Sequence, residues 1–268
     1  MHQLIRKRLQ QVAILPVIFT ALLAIFSFTP PSPAIFAFSP DRSFEILGDK
    51  DKNSNAASGT KPKKPVAKIS FSKSKKYVYD SLQLESTGLS RKVFEMALHG
   101  MEKLKKSNRL HSDILSIADF SKSSTDKRLF VIDLANDELL FYTWVAHGRN
   151  SGGEWARSFS NKPRSKKSSL GFYVTGPAYE GSNGYSLKLL GMEKGFNNNA
   201  LQRAIVLHGA DYVNTDFISS QGYIGRSLGC PAVTTEISGP LINTIKEGSC
   251  LFIYHPSASY LQRSVLLN

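Results

Sequence analysis

Apolar residues recur at helical spacing at Phe94, Ala97, Leu98, Met101 and Leu104. Ser90 stands ahead of this stripe as an N-cap, so the pattern predicts a helix running to about Lys106. The stripe reads as packing surface, with His99 on the outer side of the same helix. Beyond it the pattern changes to short apolar runs separated by polar and glycine-rich turns. Residues 129–134 and 139–145 flank Asn136-Asp137 as in a hairpin. Residues 172–175, 186–190 and 204–208 are further strand candidates, and 250–254 reads as a final buried strand. Between the last two, Ser238-Gly239-Pro240 is expected to open a short helix with proline in its first turn, closed by Gly248. The sum is one mainly β domain over residues 77–268, with an N-terminal helix packed on it.

The first part of the chain has a different pattern. Residues 38–76 are polar and broken, rich in Ser, Lys, Asn and Pro between 54 and 64, and read as a flexible basic linker. Residues 1–37 place Arg6-Lys7-Arg8 before an apolar run from Val12 to Phe28, then Pro30, Pro31, Pro33 and Ala34. That is the order of a secretory signal, with cleavage expected near Ala37. The other reading is an uncleaved N-terminal anchor, although the run is short for a span and contains Pro16. Either reading exports the remainder, to the periplasm or cell envelope, and limits membrane association to this segment.

Charge narrows the partners. The 268 residues carry a formal charge of +13, from 34 basic against 21 acidic residues. Such a field favours anionic partners such as nucleic acid, acidic lipid or a polyanionic wall. Much of the excess lies in local runs, at Arg6-Lys7-Arg8, 61–76 and 164–167. No RNP, zinc-finger or helix-turn-helix pattern accompanies them, so nucleic acid is not an expected partner.

The chemistry centres on Cys230, in Gly225-Arg226-Ser227-Leu228-Gly229-Cys230-Pro231-Ala232. Glycine lets the backbone turn sharply and approach a substrate, and proline fixes the exit of the turn. His208, in Leu207-His208-Gly209-Ala210, is an imidazole able to take the thiol proton. Cys250 lies in an apolar strand pattern and reads as a small core residue rather than as a disulfide partner of Cys230. His147, His208 and Cys230 are also plausible zinc ligand types, but none of the tight spacings of common metal motifs is present.

These blocks resemble the YkuD-type L,D-transpeptidases, and their second catalytic-domain subfamily in particular. The resemblance rests on 205–210 and on Gly225-Arg226-Ser227 followed by Gly229-Cys230-Pro231-Ala232. Ala118-Asp119-Phe120, 128–133, 145–152, Phe159-Ser160-Asn161 and 168–172 support it, so that it covers roughly residues 77–256. It implies a β-sandwich-like catalytic domain with a short helix after the catalytic loop. It also implies a cysteine acyl-transferase on peptidoglycan stem peptides that needs no metal or organic cofactor. Cys230 would form a thioester, His208 would act as base and acid, and the Gly209 carbonyl would hold the imidazole tautomer. The oxyanion hole would come from the N–H groups of Gly229 and Cys230, with Leu228 as a third candidate. His147 is either a support for this site or a structural histidine.

Two departures bear on substrate recognition. Many members carry a second histidine where this chain has Leu228, and Arg or Asn where it has Ala232. Arg226 is the expected replacement grip for a substrate carboxylate. Ser227 is expected either to assist it or to shape the loop, and Tyr223, Tyr212 and Trp155 either to line a peptide groove or to pack. Three functions remain open at this point. They are transpeptidation to a stem peptide or an acceptor protein, L,D-carboxypeptidase hydrolysis on the same scaffold, and non-catalytic wall binding.

Overall fold

The computed structural model describes residues 75–268. The signal or anchor and nearly all of the proposed linker therefore lie outside the described residues. Of that linker only Lys75 and Lys76 are described, and they face Asp137 and Glu95 at 3.7 and 3.4 Å. Among the described residues no helix is long and apolar enough to cross a membrane.

The domain opens with a short helix α1 (Val78–Ser81), a 3-10 turn (Leu84–Thr87) and the predicted helix α2 (Arg91–Lys106). Ser90 caps α2 as its sequence position predicts, its Oγ accepting the Val93 N–H at 3.3 Å. Phe94, Ala97, Leu98, Met101 and Leu104 are buried, whereas His99 is exposed. Each large apolar side chain buried there contributes roughly 1.5–3 kcal/mol. Gly100 lets the α2 backbone close on the sheet, since a Cβ there would collide with the Phe172 ring.

Eight strands form one sheet in the order β3-β2-β1-β8-β4-β5-β6-β7. They are β1 (Ile114–Asp119), β2 (Leu129–Asp133), β3 (Glu138–Thr143), β4 (Gly171–Gly181), β5 (Gly184–Gly191), β6 (Val206–Gly209), β7 (Ala232–Val233) and β8 (Cys250–Tyr254). The β1–β8 and β6–β7 pairs are parallel, and the others antiparallel. The central β8 is buried along its whole length, which explains its continuous apolar run in place of alternation. The ladder shifts register between Thr175 and Ala178, where Pro177 has no N–H to donate.

The sheet nearly closes on itself. Just past β3, the Ala146 N–H donates to the Ala232 carbonyl at 2.7 Å, tying that segment to β7 at the far end of the strand order. The mainly β expectation therefore holds, in the form of one strongly curled sheet.

One helix boundary differs from expectation. The helix after the cysteine loop, α4 (Thr235–Ile245), begins three residues before Ser238 and carries Pro240 in its interior. Proline there removes the bond to the Glu236 carbonyl. Glu236 and Pro240 are both exposed, so water can satisfy that group. Three helices, α1, α3 (Thr215–Gln221) and α5 (Ala258–Arg263), had no predicted counterpart.

Candidate active site

The site is built on a crossover. The chain leaves β6, passes through α3, and returns through 222–231 into β7, which lies parallel to β6. The register pairs His208 with Ala232 and Gly209 with Val233. Two residues back along both strands, Cys230 comes level with Val206. Gly209 is required for packing here: a Cβ on it would lie 2.6 Å from Ser238 Oγ and 3.2 Å from Thr235 Cα, both on α4.

Cys230 is buried at the end of the turn. Its Sγ accepts the Val206 N–H at 3.5 Å and donates to the Ala204 carbonyl at 3.7 Å. Burial raises the thiol above its ordinary value, and the Val206 N–H and the charge of Arg203 partly oppose this. The resting group is a protonated thiol, held by backbone rather than by a hydrogen bond to the His208 ring.

His208 is buried with its Nδ1 2.8 Å from the Gly209 carbonyl. A carbonyl only accepts, so Nδ1 carries the proton and Nε2 keeps its lone pair. Burial lowers the imidazole below its ordinary value, with the Gly209 bond as a smaller opposing effect. A neutral imidazole with its basic nitrogen open therefore stands one two-residue step along β6 from the level of the thiol.

The turn itself is locked from inside. Ser227 is buried, its hydroxyl donating to the Cys230 carbonyl at 2.6 Å and accepting the Gly229 N–H at 3.0 Å. It thus shapes the loop, its O–H donor and one of its lone pairs being used there. The same bond occupies the Gly229 N–H, which removes it from the expected oxyanion donors. Among the described residues nothing accepts the N–H groups of Leu228 and Cys230. Gly229 has φ +127°, a conformation that L side chains rarely adopt, and a Cβ would stand 2.9 Å from the Lys167 carbonyl.

The neighbouring segment supports the turn through its backbone. The Ser227 N–H donates to the His147 carbonyl at 3.0 Å, and the Arg149 N–H to the Ser227 carbonyl at 2.8 Å. The His147 ring points elsewhere: its Nδ1 accepts from Arg128 Nη2 at 2.8 Å, and Phe120 packs edge-on at 5.9 Å. Arg128 is fully buried, donates also to the Val145 and Lys122 carbonyls, and is pushed down to about 9 by burial. Burial and that guanidinium push His147 down to about 3, so it is neutral. Its Nε2 faces the Gly152–Gly153 backbone without reaching hydrogen-bond geometry. His147 thus supports the cysteine turn by its carbonyl alone.

Two depressions flank 225–230. One, of about 240 Å³, is lined by Arg149, Tyr212, Phe217, Gln221, Gly225 and Arg226. Arg226 is exposed there, its Nη1 3.0 Å from the Gly152 carbonyl and its guanidinium 5.3 Å from the Tyr223 ring. Tyr223 is half-buried beneath it and shaped against Gly153. The other, of about 360 Å³, lies beside Leu228 and is lined also by Pro163, Arg164, Lys166, Gln202, Arg203 and Ile205. Leu228 is 61% exposed, an apolar side chain presented to whatever enters this cleft. Trp155 is exposed as well.

Sequence reasoning missed Val206, Arg203 and the weight of Tyr212. Tyr212 is pushed up to about 12 by burial and by Cys230. Its backbone accepts the Gly225 N–H at 2.6 Å, and a Cβ on Gly225 would collide with its side chain. The Gly225 position was the available signal, since it marks where two segments cross closely. Cys230 and Cys250 are both free thiols, and Cys250 is fully buried in β8. Among the described residues no group of three or more His, Cys, Asp or Glu is placed to hold a metal ion.

The chain is similar to solved L,D-transpeptidase structures at low identity. That from Mycobacterium smegmatis is 12% identical over 54% of this chain and 59% of its own, with TM-score 0.35. That from Xylanimonas cellulosilytica DSM 15894 is 16% identical over 55% and 62%, with TM-score 0.31. That from Stackebrandtia nassauensis is 13% identical over 61% and 68%, with TM-score 0.33. The chain thus spans about three fifths of the length of the first two. No curated protein matches it. The YkuD_2 family profile, described as the L,D-transpeptidase catalytic domain, matches residues 85–254, and the chain belongs to that family.

Proposed function

We propose that this protein is an exported cysteine acyl-transferase acting on peptidoglycan stem peptides. The observation that carries the reading is the β6–β7 pairing, which brings a tautomer-fixed neutral imidazole and a turn-borne thiol onto adjacent strands. A stem peptide in the cleft draws Sγ away from the Ala204 carbonyl by rotation about the Cα–Cβ bond. His208 Nε2 takes the thiol proton, and sulfur attacks the carbonyl joining an L-centre to the terminal D-residue. The N–H groups of Leu228 and Cys230 receive the oxyanion. The C–N bond then breaks, and His208 returns its proton to the departing amine. An acceptor amine attacks the thioester, which forms the new amide and restores the thiol. The acceptor is a second stem peptide or a protein.

Export is part of the proposal, because stem peptides of the wall lie outside the cytoplasm. The basic, apolar and small-residue order of residues 1–37 supports it. Incubating the soluble domain with purified muropeptides and weighing the products tests the whole reading. Loss of the terminal D-residue with formation of cross-linked dimers is expected. Trimmed tetrapeptides without dimers would assign an L,D-carboxypeptidase, and an unchanged mixture with retained binding would assign a wall-binding protein.

A further inference from the structure

We infer that Arg203 is a positioning residue for the Cys230 thiol, tying the 158–169 loop to the cysteine turn and keeping an uncompensated positive charge beside the sulfur. The inference deepens the transferase reading above and rests on it for its catalytic meaning. Arg203 stands just before β6, half-buried. Its Nη1 donates to the Ser160 carbonyl at 2.7 Å and to Ser169 Oγ. Its Nη2 donates to the Lys167 carbonyl at 2.7 Å and to Ser165 Oγ at 3.1 Å. One planar fork therefore holds both ends and the middle of a single loop, a geometry that an ammonium cannot reproduce.

That loop presses on the cysteine turn. A Cβ on Gly229 would lie 2.9 Å from the Lys167 carbonyl and 3.3 Å from Arg203 Nη2. Ser168 Oγ donates to the Gly229 carbonyl at 3.3 Å and accepts the Gly148 N–H at 3.0 Å, closing the clamp from the other side.

All four acceptors of Arg203 are neutral, and no carboxylate among the described residues forms an ion pair with it. Its charge is not cancelled, and partial burial leaves it less screened than a surface cation. The interaction is mutual: burial lowers the guanidinium while the buried Tyr173 and then Cys230 oppose that, and Arg203 lowers the thiol against burial. The other titratable or charged groups around the thiol are His208 on β6, Tyr212 after it, and Arg164 and Lys166 in the cleft with Leu228.

The test is the rate of iodoacetamide alkylation of Cys230 against pH, in folded wild type, Arg203→Gln and Arg203→Lys. Losing the charge should raise the alkylation midpoint by about one pH unit in Arg203→Gln, the scale of a nearby charge in a partly screened site. Arg203→Lys keeps the charge and should stay within about half a unit of wild type. Both variants lose the fork and should be cut by trypsin in 158–169 about tenfold faster. A folded Gln variant with the wild-type midpoint would overturn the role of the charge. If Gln does not fold, a Lys variant shifted by the full unit would do the same. Unchanged proteolysis in either folded variant would overturn the loop tie. Alkylation needs no stem peptide. The expected shifts without turnover on muropeptides would therefore count against the transferase reading and leave Arg203 in place.

Discussion

His208 stands opposite Ala232 in the parallel β6–β7 ladder, which sets Cys230 one two-residue step behind it and level with Val206. Burial acts on the two groups in opposite senses, lowering the imidazole and raising the thiol. Both groups therefore rest neutral at pH 7, and in the proposed reaction the thiol must give up its proton for sulfur to act as nucleophile. An ion-pair resting state would require the reverse shifts.

That electrostatic arrangement fixes the sense of the pH profile. A base whose pKa is lowered stays deprotonated further into acid, so the acid limb of kcat/KM should fall below about pH 6.5, the ordinary histidine value. His208→Ala should cut turnover by about 10²–10⁴-fold and remove that limb. A wild-type acid limb above pH 6.5 would show that His208 is not the base.

The two cysteines should separate cleanly. Cys230→Ala should abolish release of the terminal D-residue and leave stability nearly unchanged, since the thiol's contacts are long and few. Cys250→Ala should retain turnover but lose about 1 kcal/mol of stability, because it vacates a fully buried position in the central strand. Kinetics and thermal melts on both variants decide this, and equal loss of turnover in two folded variants would contradict it.

Much of this was legible in the sequence for definite reasons. The α2 stripe and its Ser90 cap are local signals that tertiary packing reinforces, so the helix appears where periodicity places it. The hairpin about Asn136-Asp137 likewise follows from two apolar runs and the turn chemistry between them, with Asp137 at φ +54°. Pro240 misled because its usual place is a helix's first turn, whereas exposure of Glu236 lets an interior proline stand. In the site, Cys230 and His208 could be named from local motifs. The occupation of the Gly229 N–H by Ser227, and the bonds of Arg203 across some forty residues, depend on three-dimensional closure. No local pattern encodes them.

Arg226, the proposed grip on a substrate carboxylate, is exposed beside Arg149 in the depression that Tyr212 also lines. Its present partners, the Gly152 carbonyl and the Tyr223 ring, pre-orient the fork without neutralising it. Loss of a charge-assisted hydrogen bond costs roughly 1.5–3 kcal/mol, so Arg226→Ala should lower kcat/KM for tetrapeptide about tenfold to a hundredfold, chiefly through KM. Arg226→Lys should recover part of it. Steady-state kinetics matching wild type would remove Arg226 from recognition.

Gly229→Ala tests the shape of the turn. Its φ of +127° and the Lys167 carbonyl 2.9 Å from a Cβ leave no unstrained place for a methyl group. Strain of this kind costs about 1–3 kcal/mol. Because the next residue is Cys230, turnover should fall more steeply than stability. Measuring both on the same preparation is the check, and full activity in Gly229→Ala would mean that the turn is not rigid.

His147 should make the domain acid-sensitive without taking part in the chemistry. Its folded-state value, pushed down to about 3 by burial and Arg128, lies below the ordinary 6.5 of an unfolded histidine. The unfolded chain then binds the extra proton first, so the group's contribution to stability is full above pH 6.5 and is lost as pH falls towards 3. His147→Asn keeps a short acceptor for Arg128 Nη2 while removing the titration. It should be less stable than wild type at pH 7, because ring packing against Phe120 is lost. Its Tm should fall less steeply between pH 6.5 and 4. Turnover per folded molecule at pH 7 should stay within a few-fold of wild type, since the Ser227 N–H contacts the main-chain carbonyl that any residue supplies. Parallel Tm–pH curves for the two proteins would show that the buried imidazole is not what limits the domain in acid.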